Sequence, residues 1–118
     1  MAWTEKRESW VTALAAADAR ARAGEYLKAN VGAAKAYADG VEAEGGSQTT
    51  AILLGTGLMS QNKLPMRARV SFGAAPAGTA VEVYLGDTYA LKFAGLLGIR
   101  KYEKRFAELI AGLRGVLP

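Results

Sequence analysis

The chain contains no cysteine and no histidine. Without cysteine there is no disulfide and no thiolate nucleophile. Without histidine the commonest general base near neutral pH and the commonest metal ligand are both missing. Any proton transfer would fall to a carboxylate, lysine or tyrosine, so the composition leans away from an enzyme, and no catalytic residue, metal or cofactor is assigned. A long apolar run is also missing. The longest, Ala51 to Met59, is far too short to span a membrane. A second run, Val11 to Ala17, follows Glu5 and Glu8 and stops at Asp18, a poor match to a signal peptide. These absences lead to the expectation of a soluble cytoplasmic protein.

What is present fits one domain, residues 1–118, with 51% apolar and 22% charged residues. The net charge of +4 is uneven: residues 1–46 carry six Lys/Arg against seven Asp/Glu, and residues 47–118 carry nine against four. A basic half attracts phosphates in principle. Aromatic side chains hardly interleave with Arg67 and Arg69, however, and a nucleic-acid partner is not expected.

Residues 1–46 read as a helical segment. From Thr4 to about Ala43 the chain is rich in Ala, Glu, Lys and Arg, all good helix formers. Apolar or small residues at Trp10, Leu14, Ala17, Ala21, Gly24, Leu27, Val31, Ala34, Ala38 and Val41 recur in steps of three and four. One straight helix of this length would run roughly 60 Å at about 1.5 Å per residue. A domain of this size is about 35 Å across. The segment is therefore one long or kinked helix or a helical pair, broken near Gly24 or Asn30–Gly32, or else a second chain covers the overhang.

Residues 47–118 read as an antiparallel meander of three to four strands closed by a C-terminal amphipathic helix. The strands are Thr49–Met59, Leu64–Gly73, Thr79–Gly86 and a weaker Thr88–Phe93, with short connections between them. On the second strand Met66, Ala68, Val70 and Phe72 oppose Arg67, Arg69 and Ser71. On the third, Val81, Val83 and Leu85 oppose Ala80, Glu82 and Tyr84. That alternation predicts one covered and one wet sheet face, with Arg67, Arg69, Glu82 and Lys92 in cross-strand pairs. The first strand is apolar on both faces. Its GTGLMS run lacks the third glycine and the following helix of a dinucleotide site. In the tail, Ile99, Tyr102, Phe106, Leu109, Ile110 and Leu113 form a helical stripe that should cover the sheet. With the stripe so occupied, no membrane partner is expected. The whole is α+β.

Residues 49–116, with their antiparallel strands, the "GTAVEV" strand after a turn, then "GLLG" and a long closing helix, resemble the C-terminal half of the helix-grip superfamily. That group includes START-type lipid-transfer domains, Bet v 1-like domains and polyketide cyclases. The resemblance covers a little over half the chain. It implies a long C-terminal helix gripped by a curved antiparallel sheet, often around an apolar cavity. The N-terminal third departs from it, since such a domain usually opens with a strand and two short helices.

Two functions follow as expectations. The first is a non-enzymatic binding domain for a small apolar or lipid-like ligand, held between sheet and C-terminal helix by Leu54, Val70, Phe72, Val83, Leu91, Phe106 and Ile110. The second is a homo-oligomeric interaction module with no ligand pocket, joined through Trp3, Trp10, Leu14, Leu53 and Met59. A homo-oligomer is the expected assembly under either reading.

Overall fold

Alternation in residues 66–87 forms the centre of the molecule. In the computed structural model, which describes residues 4–89 and 95–118, these residues make the long hairpin of an α+β fold. The described elements are β1 (Glu5–Thr12), α1 (Ala16–Asn30), β2 (Ala34–Tyr37), β3 (Gly40–Gly45), α2 (Gln48–Leu54), a 3-10 turn (Gln61–Lys63), β4 (Met66–Ala75), β5 (Gly78–Asp87) and α3 (Gly95–Val116). The strands form one five-stranded antiparallel sheet in the order β1-β5-β4-β3-β2.

The β4–β5 register places Val70 opposite Val83 and Phe72 opposite Val81. Met66, Ala68, Val70, Phe72, Val81, Val83 and Leu85 are buried, and Arg67, Arg69, Ser71, Glu82 and Tyr84 take the other face. A one-residue slip of this register would turn the charged set into the core. Gly78 closes the turn at φ +148°, and a Cβ there would lie 2.1 Å from the Thr12 carbonyl oxygen. Glycine at this position lets the end of β1 pass directly over the hairpin tip.

α3 covers the apolar face as its stripe predicts. Tyr102, Phe106, Leu109, Ile110 and Leu113 are buried, and Ile99 is partly so. Tyr102 and Phe106 sit with ring centroids 5.6 Å apart. α1 lies beside α3 and buries Ala19, Ala23 and Leu27, whose small side chains allow close approach.

The expected N-terminal helix over residues 4–43 is corrected: the chain opens with a strand, and only Ala16–Asn30 is α-helical. β1 pairs with β5 from Glu5↔Gly86 to Thr12↔Thr79. Trp10 and Thr12 thereby face α3, while Arg7 and Ser9 face solvent. β3 pairs with β4, so Val41 and Ala43 join the core while Glu42 and Glu44 stay outside. Helix propensity spans only about 1 kcal/mol per residue, and long-range sheet pairing overrides it. Of the two candidate breaks, Gly24 lies inside α1, and the Asn30–Gly32 region ends it. The Val31 and Gly32 N–H groups both donate to the Leu27 carbonyl, at 2.8 and 3.1 Å. A Cβ on Gly32 would stand 2.2 Å from the Glu44 carbonyl oxygen, so only glycine lets the chain turn back against β3. The buried stripe is Ala19, Ala23 and Leu27, while Ala17 and Ala21 are exposed. With no overlong helix, the length argument for a second chain lapses.

The expected strand Thr49–Met59 is also corrected. Ser47 caps α2, its Oγ accepting from the Thr50 N–H at 3.1 Å, and Gly55 at φ +78° ends the helix. The run is apolar all round because Ala51 packs inward while Ile52, Leu53 and Leu54 face outward. Of the expected strand Thr88–Phe93, Thr88 and Tyr89 are not in a strand, and Ala90 to Phe93 lie outside the described residues. The sheet reaches five strands because β1, β2 and β3 come from the segment read as helix. No helix among the described residues is long and apolar enough to cross a membrane.

Candidate functional site

Among the described residues, two of the concave regions lie against the sheet. The first is a recess of about 400 Å³ where the start of β1 meets the first turns of α3. β1 contributes Thr4, Glu5 and Lys6, and α3 contributes Ile99, Glu103, Phe106 and Ala107 at helical spacing. The strand end is pinned to β5. The Thr4 N–H donates to Asp87 Oδ2 at 2.5 Å, and the Asp87 N–H donates to the Thr4 carbonyl at 3.0 Å. Phe106 and Ile99 supply an apolar floor, and Thr4, Lys6 and Glu103 supply a polar rim. A volume of this size lies at the small end of ligand sites, which run from about 300 to 1,000 Å³.

The second is a polar groove of about 800 Å³ across the uncovered sheet face, lined among others by Arg7, Tyr37, Arg67, Arg69, Glu82 and Tyr84. One transverse row runs Arg7, Tyr84, Arg69, Glu42 and Lys35 across all five strands. Arg67 and Arg69 do form cross-strand pairs, but with Glu42 and Glu44 of β3 rather than with Glu82, and Lys92 lies outside the described residues. Arg69 Nε donates to Glu42 Oε2 at 2.5 Å, and Arg67 Nε donates to Glu44 Oε1 at 2.8 Å. The Glu44 hydrogen bond holds the Arg67 guanidinium above its already high ordinary range. Arg7 stacks 4.6 Å above the Tyr84 ring, whose hydroxyl donates to Glu5 Oε2 at 3.0 Å. Partial burial, then the Glu5 hydrogen bond and charge, push the Tyr84 hydroxyl up. Tyr37 and Ser71 share a hydroxyl hydrogen bond of 2.7 Å. Each arginine of β4 is neutralised by a carboxylate of β3, so this larger groove reads as a solvated face knit by its own cross-strand pairs. Among the described residues no group of three or more Asp and Glu side chains is placed to hold a metal ion.

The structure brings together five of the seven residues expected to line a ligand site. Val70, Phe72, Val83, Phe106 and Ile110 lie in one core beneath α1 and α3, and all are buried, none more than 8% exposed. They form core, and only Phe106 also reaches the recess. Leu54 stands apart at the end of α2, half exposed, and Leu91 lies outside the described residues. Of the five expected interface residues, the four that are described do not share one surface. Trp10 tucks under the end of α3, its Nε1 donating to the Leu117 carbonyl at 2.8 Å. Leu14 packs on the core, Met59 is buried and Leu53 is exposed on α2. Trp3 lies outside the described residues. The recess residues Thr4, Glu5, Lys6, Glu103 and Ala107 escaped sequence reasoning because β1 was read as helix. The signal that could have found them is the alternation of Glu8, Trp10 and Thr12 with Arg7, Ser9 and Val11.

Compared with protein-family models and with curated proteins, the chain matches none.

Proposed function

We propose that the protein is a non-enzymatic binding domain for a small lipid-like amphiphile. The observation that carries this is the recess between β1 and α3, whose floor is Phe106 and Ile99 and whose rim bears Lys6, Thr4 and Glu103. With Val70, Phe72, Val83 and Ile110 buried in the core, the seat of the ligand moves from beneath α3 to its N-terminal half beside β1. An apolar tail on the phenyl ring and a polar head at the rim satisfy the site without burying a charge unpaired. Two features support the helix-grip resemblance on which this reading also draws: the chain opens with a strand followed by a helix, and the long last helix lies across the antiparallel sheet.

The test is titration with a fluorescent fatty acid. Binding should be saturable, with one ligand per chain. Ala107 is exposed on the recess wall. Ala107→Trp should therefore fill the recess and weaken binding by about tenfold, a loss of about 1.4 kcal/mol, without lowering the melting temperature. A parent protein that binds no such probe saturably would rule the proposal out.

A further inference from the structure

Apolar side chains that fold has not covered collect at one end of the molecule. Leu53 and Leu58 are each 77% exposed, Leu96 is 64% and Leu97 is 62% exposed, and Ile52 and Leu54 are half exposed. They come from two places in the chain that the topology joins. Residues 46–65 link the end of β3 to the start of β4, and α3 begins beyond the end of β5. All three strand ends lie at the same edge of the antiparallel sheet. Contacts tie the two places together. Lys101 Nζ donates to the Met59 carbonyl at 2.6 Å, and a Cβ on Gly57 would lie 3.0 Å from Leu97 Cβ. Exposed leucines are ordinary one at a time; six large apolar side chains in one region mark an interaction surface.

Charge identifies the occupant. Within 47–66 and 95–105 the basic residues are Lys63, Arg100, Lys101, Lys104 and Arg105, against Glu103 alone. Helical spacing places Arg100 and Lys104 in line with Leu96, and Lys101 in line with Leu97, one and two turns further along α3. Among the described residues, Lys63, Arg100 and Lys104 have no ion-pair partner. We infer that this end of the molecule docks on an anionic lipid bilayer, with the leucines of α2, the 55–59 loop and the first turn of α3 entering the interface and the cations of α3 meeting lipid phosphates. Leucines followed by lysine and arginine match the layering of a membrane surface, apolar below and anionic above. A second copy of this chain fits worse, because it would bring an identical set of cations against the first. Nucleic acid fits worse as well, since leucine offers no ring for a base to stack on. The stripe of α3 is not involved; it faces the sheet. The inference holds whether or not the recess takes a ligand.

The test is flotation with vesicles of phosphatidylcholine alone or mixed with phosphatidylglycerol. The parent protein should float with the mixed vesicles, much less with the neutral ones, and salt should weaken the association. Leu53→Glu combined with Leu97→Glu should lower the partition coefficient by about tenfold or more, with the melting temperature unchanged because both side chains are exposed. Arg100→Glu combined with Lys104→Glu gives an independent arm and should show a similar loss on mixed vesicles only. Ala107→Trp should float like the parent, which separates this surface from the ligand recess. Three results would overturn the inference: no flotation of the parent with mixed vesicles, undiminished flotation of the double leucine variant, or a dimer in solution that the leucine substitutions dissociate.

Discussion

Tyr102 shows what a single buried hydroxyl does here. Its ring lies in the core, fully buried, and its hydroxyl donates to the Pro65 carbonyl at 2.7 Å just before β4 begins. Burial, then the nearby Asp87 charge, pushes the hydroxyl far above the ordinary tyrosine range. The folded state therefore resists losing this proton, while the unfolded chain gives it up near pH 10. The stabilisation is whole below about pH 10 and is lost as pH climbs towards the folded-state value. Denaturant titration should show stability falling with rising pH in the alkaline range. Tyr102→Phe should flatten that fall, and at neutral pH it should cost about 0.5–1.5 kcal/mol, because the Pro65 carbonyl loses one of two donors and keeps the Thr88 N–H at 3.1 Å. An alkaline profile identical in parent and variant would assign the fall to other groups. Trp10 works in the same way at the opposite end of α3. Its indole N–H meets the Leu117 carbonyl, and Arg114 lies 4.4 Å above its ring while reaching Glu8 at 3.1 Å.

Among the elements, the β4–β5 hairpin presents the central apolar face, and α1 and α3 cover it together, α1 over β4 and α3 towards β5 and β1. Phe106 sits in the middle of the α3 stripe, fully buried. Phe106→Ala should cost about 3–5 kcal/mol by removing a ring from a site that cannot collapse. Val83, at 2% exposure, faces the same helix from β5. Val83→Phe should destabilise by about 1–3 kcal/mol, since the space beneath α3 is filled. Thermal melts of both variants check this; tolerance of the added phenyl ring would reveal unfilled volume there. α2 stands in contrast. It buries Ala51 alone and is held by the Ser47 cap, by Gln48, whose side-chain amide donates to the Thr88 carbonyl, and by Tyr89, whose hydroxyl donates to the Ala51 carbonyl at 3.1 Å. An element so lightly packed is the one free to offer its leucines outward.

Over the whole molecule, one sheet face is covered and the other open, giving an elongated body of 46 × 23 × 22 Å. Its first strand is fastened to the residues that follow its last helix. β1 is an edge strand beside β5, and its Trp10 and Thr12 side chains donate to the Leu117 and Pro118 carbonyls, both at 2.8 Å. Leu117 itself is fully buried. Leu117→Ala should therefore cost about 2–5 kcal/mol although it lies beyond the end of α3. A change below that range on chemical denaturation would mean that the fastening is dispensable. The sequence by itself determined the elements whose partners are close in the chain. The hairpin register follows from period-two alternation around a turn, and α3 follows from an unbroken stripe of period 3.6, so the covered face, Phe106 and the arginines outside were all legible. Only the tertiary structure decided the rest. EKRESWVT and GVEAEG lie in a segment rich in Ala, Glu, Lys and Arg yet become strands because β5 and β4, distant in sequence, offer open edges to pair with. TTAILL is an apolar run that becomes a helix between the Ser47 cap and Gly55, in the connection from the end of β3 to the start of its neighbour β4. The recess was illegible for the same reason, since its two walls come from opposite ends of the chain. Local propensity is worth tenths of a kcal/mol per residue, about 1 at most; a completed strand ladder and a buried apolar face are worth several times more, and they exist only once distant segments meet.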